Sequence, residues 1–184
     1  MLTKKITNNT ISLSDILGNV WCESVCEESN CVLTMFAQNI PEDYRGKKNT
    51  DTVKCAVSCA SPAEAQRCQE VLATLILNGY TDPFNWHIAL DIEDLMKIFS
   101  DEMNFCELTI DTDKLGTLSE TISGLKIASK AFIYLRANKD TLNGYVLNSV
   151  FTLNCLVEKI ELCSQYSLDN EIPLGSVVID VWYC

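Results

Sequence analysis

The hydrophobic pattern changes period along the chain, and each change marks an expected element. From Thr52 to Ala60 the run TVKCAVSCA reads as a buried strand, and Ser61-Pro62-Ala63-Glu64 follows as a helix start. Ser61 can accept a hydrogen bond from the first turn, Pro62 sits where a missing N–H costs nothing, and Glu64 completes a capping box. Cys68, Val71, Leu72, Leu75 and Ile76 then recur at helical spacing, opposite Glu64, Arg67, Glu70 and Thr74, until Gly79 offers a left-handed stop. Upstream, Leu13, Ile16, Leu17, Val20, Trp21 and Val25 recur at helical intervals behind Ser12 or Ser14, which predicts a short helix in spite of Gly18. Residues 31–36 (CVLTMF) read as a strand, and the next stretch, with Arg45, Lys47 and Lys48 around Gly46, reads as an exposed hairpin connection.

Further along, residues 81–86 form an aromatic turn, and Asp91 caps a helix with Ile92, Leu95, Met96 and Phe99 in one stripe. Residues 105–110 (FCELTI) alternate as a strand, Leu118, Ile122 and Leu125 suggest a short helix, and residues 131–135 (AFIYL) form a covered strand. Thr141 to about Gln165 predicts the longest helix, with Leu142, Val146, Ser149, Leu153, Leu156, Ile160 and Cys163 at alternating steps of four and three. Asn143-Gly144 leaves a hairpin turn open as the alternative. Residues 176–182 (SVVIDVW) close the chain as a strand. Together these predict an α+β fold: one domain over residues 1–184, with 1–11 as a candidate disordered lead, and a mixed, mainly antiparallel sheet of about five strands with packed helices.

Composition narrows the function. Apolar residues make up 47% and charged residues 21%, ordinary globular values, but the formal charge is −11. That charge repels nucleic acid and anionic membrane, so neither is expected as a direct partner, and a basic protein is. Ten cysteines without a secretory leader point to reduced thiols in the cytoplasm, and no apolar run approaches membrane-spanning length. Seven dispersed glycines form neither a P-loop nor a dinucleotide fingerprint, and His87 is the only histidine. Cys22, Cys26 and Cys31 lack the close C-x2-C pairs of a zinc site, and Asp111 and Asp113 lack the rest of a calcium loop. No catalytic set, metal or cofactor is therefore expected.

One feature remains. Between Asp82 and Asp113 nine acids face one base, Lys97, a net of −8, while Lys114 to Lys139 is basic. A solvated face is the plain reading. The functional reading is an acidic surface of Asp91, Glu93, Asp94, Asp101, Glu102, Asp111 and Asp113 that competes for the basic channel of a nucleic-acid-binding protein. In this profile the chain resembles the phage- or mobile-element-encoded anti-CRISPR proteins, a class without a common fold or motif. The resemblance implies a counter-defence DNA mimic that inhibits an RNA-guided nuclease effector by blocking its DNA binding, without turnover. Two alternatives stand beside it: a small-molecule or nucleotide binder, catalytic or not, with a pocket at the Ser61 helix start near Tyr80, Trp86 or His87, and a homo-oligomeric structural protein joined through the long helix.

Overall fold

The computed structural model describes residues 2–36, 52–81, 95, 97–121, 128–151 and 163–184, in two compact units, Met1–Phe105 and Cys106–Cys184. In the first unit β1 (Thr3–Thr7), β2 (Thr10–Ser14), β3 (Val20–Glu27), β4 (Asn30–Met35) and β5 (Val53–Ser58) pair in chain order, each antiparallel to the next. Val57 and Ser58 pair in parallel with Met103 and Asn104, the start of β6 (Met103–Asp111). The helix α1 (Pro62–Thr81) crosses between these two strands and packs on β2, β3 and β4.

The helix expected behind Ser12 or Ser14 is corrected to the strands β2 and β3. Ile11 and Leu13 are buried while Ser12 and Ser14 lie between, which is strand alternation. The helical spacing included Ile16 and Leu17, which lie exposed in the turn, while Trp21 and Cys22 are adjacent and both buried. A bulge explains them: Leu13 faces Cys22 and Ser14 faces Val20, so Trp21 is the extra residue and turns to the same side as its neighbour. Gly18 serves the intervening turn with φ +86°, a conformation that favours glycine.

The helix start at Ser61 forms as expected. The Ala60 N–H donates to Glu64 Oε2 at 2.6 Å, and the Glu64 N–H donates to Ser61 Oγ at 3.2 Å. One face of α1 buries Ala65, Cys68, Leu72, Leu75 and Ile76. Gln69 is buried among them, and its amide donates to Asn9 O at 2.8 Å and Ser24 O at 2.6 Å. The hairpin connection after residue 37, the aromatic turn at 82–86 and most of the helix capped by Asp91 lie outside the described residues; Leu95, Lys97 and Ile98 are helical.

In the second unit the strand order is β6-β9-β7-β8, with β7 (Ala131–Ala137) parallel to β8 (Cys163–Leu168) and antiparallel to β9 (Ser176–Tyr183). A 3-10 turn (Thr112–Thr117) runs into α2 (Leu118–Thr121), and α3 spans Gly144–Phe151. Leu115, Leu118, Ile133, Leu135, Val146 and Ile179 belong to one apolar core. The long helix expected from Thr141 to about Gln165 is corrected: α3 is described only to Phe151, and Cys163–Leu168 is a strand in register with Phe132–Ala137. Asn143-Gly144 makes no hairpin turn either, because Asn143 Oδ1 accepts from the Val146 N–H at 3.1 Å and starts the helix. The sheet expectation is corrected as well. Among the described residues nine strands stand in place of about five, and each unit holds a parallel pair.

Candidate functional site

Alternation along β7 and β9 puts Ile133, Leu135, Val177, Ile179 and Val181 into the core just described. Phe132, Tyr134, Arg136, Asp180 and Trp182 therefore share the other face, and all are buried. Phe132 opposes Trp182 with ring centroids 5.5 Å apart. Next along the face, Arg136 donates from Nε to Asp180 Oδ2 at 2.8 Å and from Nη2 to Asp180 Oδ1 at 3.1 Å, a bidentate pair. The same Nη2 donates to Glu107 Oε2 at 2.7 Å, and Asp169 Oδ2 lies 3.9 Å from Nη1. One guanidinium thus serves three carboxylates.

Their titration follows from that imbalance. Complete burial and the Glu107 carboxylate outweigh the pull of the guanidinium and push Asp180 up to about 6. Arg136 is held above its ordinary value by Asp180 and Glu107, in spite of its own burial. Because the folded Asp180 keeps its proton to higher pH than an unfolded aspartate, its contribution to stability is full below about pH 4 and is lost as pH rises through about 6. The melting temperature of the wild type minus that of Asp180→Asn is expected to shrink over this window. A difference that stays constant from about pH 4 to about pH 7 would contradict the assignment.

The acids expected to form one surface fall differently. Asp101 and Glu102 are exposed in the first unit, and Asp111 and Asp113 are exposed in the second. Asp91, Glu93 and Asp94 lie outside the described residues. Asp111 accepts from Lys114 Nζ at 2.9 Å and Ser176 Oγ at 3.2 Å, which holds its carboxyl below the usual range. Glu107 of the same stretch is bound by Arg136. Part of the negative charge is therefore compensated inside the chain.

The Ser61 helix start, expected as a pocket rim, is filled by its own Ser61 and Glu64 side chains. The side chain of Tyr80, and Trp86 and His87 altogether, lie outside the description. Cys22 and Cys26 lie on β3 and not on a helix, with Cys31 directly across from Cys26 on β4. Among the described residues no group of three or more His, Cys, Asp or Glu side chains is placed to hold a metal ion. A further cluster was not anticipated. Cys31 is in hydrogen-bonding contact with Cys26 and Cys68, and Cys68 also with Cys59. The hydrogen bonds from its neighbours hold Cys31 below the usual thiol range, Cys26 is pushed up to about 12 by burial, and burial raises Cys68 as well.

No family model matches the sequence, and no curated protein is similar to it. Among solved structures, the W319Y mutant of FtsZ from M. jannaschii is similar at 15% identity and a TM-score of 0.48, over 64% of this chain and 39% of that one. A GDP-form protofilament of TubZ from Bacillus thuringiensis serovar israelensis follows at 10% and 0.41, over 65% and 34%. GDP-bound CetZ1 from Haloferax volcanii follows at 10% and 0.41, over 67% and 39%. The chain spans less than half the length of each, and similarity at this level fixes neither family nor activity. The nuclease-inhibitor reading is corrected here, and the DNA-mimic and counter-defence description with it. The solved structures found are FtsZ, TubZ and CetZ, and the acidic stretch is partly neutralised internally, Asp111 by Lys114 and Glu107 by Arg136. No helix among the described residues is long and apolar enough to cross a membrane.

Proposed function

We propose that the protein is a non-enzymatic assembly protein that joins copies of itself head to tail, in a cytoplasm where its thiols stay reduced. The observation that carries this is the first hairpin. All five residues of β1 are exposed, and β1 pairs only with β2, so no described strand covers its other edge. Residues 1–14 contain Lys4 and Lys5 and no acid, in a chain of net charge −11. Neither lysine forms an ion pair with a described residue, and Ile6 between the strand ends is 63% exposed. Lysines on an open edge resist pairing with a like edge and favour an acidic acceptor.

The exposed Asp101 and Glu102 supply that acceptor on a second copy. Such a contact joins unlike surfaces and so repeats from copy to copy, into a ring or an open filament according to the rotation between neighbours. A second anchor stands at the turn after β2. Asp15 accepts from Leu17 N at 2.8 Å, Asn19 N at 3.0 Å and Trp21 Nε1 at 3.2 Å, and so fixes a turn on which Ile16 and Leu17 are 75% and 82% exposed. Sedimentation should show mass rising with protein concentration at low ionic strength, and falling to the monomer near about 0.5 M salt, where charges are screened within a few ångströms. Lys4→Glu with Lys5→Glu should weaken association about tenfold or more, and Glu102→Lys on the other copy should restore part of it. A monomer under every condition removes the proposal.

Nucleotide or small-molecule binding is a second reading, favoured by one observation. The β5–α1–β6 crossover joins parallel strands, and the Ser58–Ser61 turn sits at the carboxyl end of β5, where such units bind ligands. The Glu64 carboxylate occupies that place and would have to leave. Isothermal titration with GTP, GDP and ATP decides it: no heat with either the wild type or Glu64→Ala excludes the reading.

A further inference from the structure

The strand register sets one pair of cysteines face to face, and the assembly reading does not use it. Cys26 on β3 stands directly across from Cys31 on β4, the one place among the described strand pairs where two cysteines are partners. The kind of pairing matters. The Cys26 N–H donates to Asn9 O at 2.9 Å and the Cys26 carbonyl accepts from Asn9 Nδ2 at 2.8 Å, so both backbone groups turn away from β4. At the other end of the same two strands the Phe36 N–H donates to Trp21 O at 2.8 Å, the bond that brackets a non-hydrogen-bonded pair at Cys22 and Met35, and steps of two residues carry that pattern to Cys26 and Cys31. Such pairs hold their Cα atoms about 4.5 Å apart, the closer of the two antiparallel spacings, and a disulfide spans roughly 4.4–6.8 Å. Both side chains leave the sheet on its buried face, where the Cys26 thiol donates to Ala65 O of α1 at 3.2 Å. Behind them the two-residue turn Glu28-Ser29, with Glu28 at φ +52°, closes the hairpin and fixes its register.

We infer that Cys26 and Cys31 are a reversible oxidation site, at which hydrogen peroxide closes a disulfide across the β3–β4 hairpin. Cys31, as thiolate, attacks one peroxide oxygen; the O–O bond breaks, a sulfenic acid forms on Cys31, and the departing hydroxide takes up the proton that Cys31 had released. The Cys26 sulfur attacks the Cys31 sulfur; the S–O bond breaks, and the Cys26 proton leaves with that hydroxide as a second water. Two thiols are oxidised and one peroxide is reduced to two waters. Two molecules of reduced glutathione reverse the change by thiol–disulfide exchange and end as one glutathione disulfide, so the resting chain holds the dithiol. Peroxide is close to water in size, and Cys26, 8% exposed, marks its way in, while Cys31 is fully buried next to it. The thiol neighbours of Cys31 favour its thiolate, which gives it the first attack. Oxidation also removes the thiol hydrogen that Cys26 gives to Ala65 O, so the same step that staples the hairpin releases one of its ties to the start of α1.

The test treats the intact chain with graded hydrogen peroxide, alkylates the remaining thiols and maps disulfides by peptide mass. The expected result is the loss of two thiols per chain and one internal bond, Cys26 to Cys31, which reduced glutathione opens again. Cys59→Ser should form that bond to the same extent, since Cys59 has no cysteine across from it in register. The wild-type map alone decides the main claim, whatever the variant does to folding. A bond from Cys31 to Cys68, a bond between any other two cysteines in its place, or oxidation of Cys31 to the sulfinic acid without closure overturns it.

Discussion

Arg136→Met is expected to destabilise the protein by about 3–5 kcal/mol, the usual cost of removing one partner from a buried ion pair. The charge left behind explains the size of the effect. Asp180 is 0% exposed, and with the Arg136 hydrogen bonds gone and Glu107 still beside it, it must either stay an unpaired buried carboxylate or take up a proton at a cost in stability that grows with pH. Methionine restores the volume and not the donors, so the loss comes from electrostatics and not from a cavity. The deficit should therefore depend on pH. Protonating Asp180 removes the unpaired charge, so urea denaturation should show a smaller deficit near pH 5 than near pH 8. A deficit under about 1 kcal/mol that does not change with pH would mean that the guanidinium is not what holds this face together.

Trp182→Ala should cost a similar amount, about 3–5 kcal/mol, for a different reason. The indole is fully buried and lies against the Phe132 ring, also fully buried, so truncation opens a cavity that a strand in mid-sheet cannot collapse to fill. Trp182→Phe keeps most of the apolar contact and should recover over half of the loss. Both variants should lower the denaturation midpoint without changing the slope with urea, since neither alters how much surface unfolding exposes.

What could be read in the sequence was local, and what could not depended on distant partners. The Ser61–Glu64 cap, α1, and the strands at 53–58 and 131–137 followed from spacing and capping chemistry that act within a few residues. The β2–β3 region misled because Ile16 and Leu17, exposed in the turn, bridge Leu13 on β2 and Val20 and Trp21 on β3 into what in one dimension is a helical spacing. Residues 163–168 misled because CSQYSL carries too few apolar positions to fix a period, and its pairing with β7 supplies what the pattern lacks. The charge cluster did leave a trace. Arg136 is the only charge in AFIYLRA and Asp180 the only one in SVVIDVWY, and opposite lone charges in two covered strands predict each other. The acidic stretch drew attention to Glu107 as surface charge, when its oxygen belongs to Arg136.

The Gln69 amide binds the two ends of a folding decision. One buried side chain on α1 donates both to the turn between β1 and β2 and to β3, so peeling away the first hairpin would strand an amide hydrogen in an apolar interior. The amino-terminal ribbon and the middle of the helix must then open as one unit, and exchange of their protected hydrogens should share a single rate, with no early fraying of the chain's beginning.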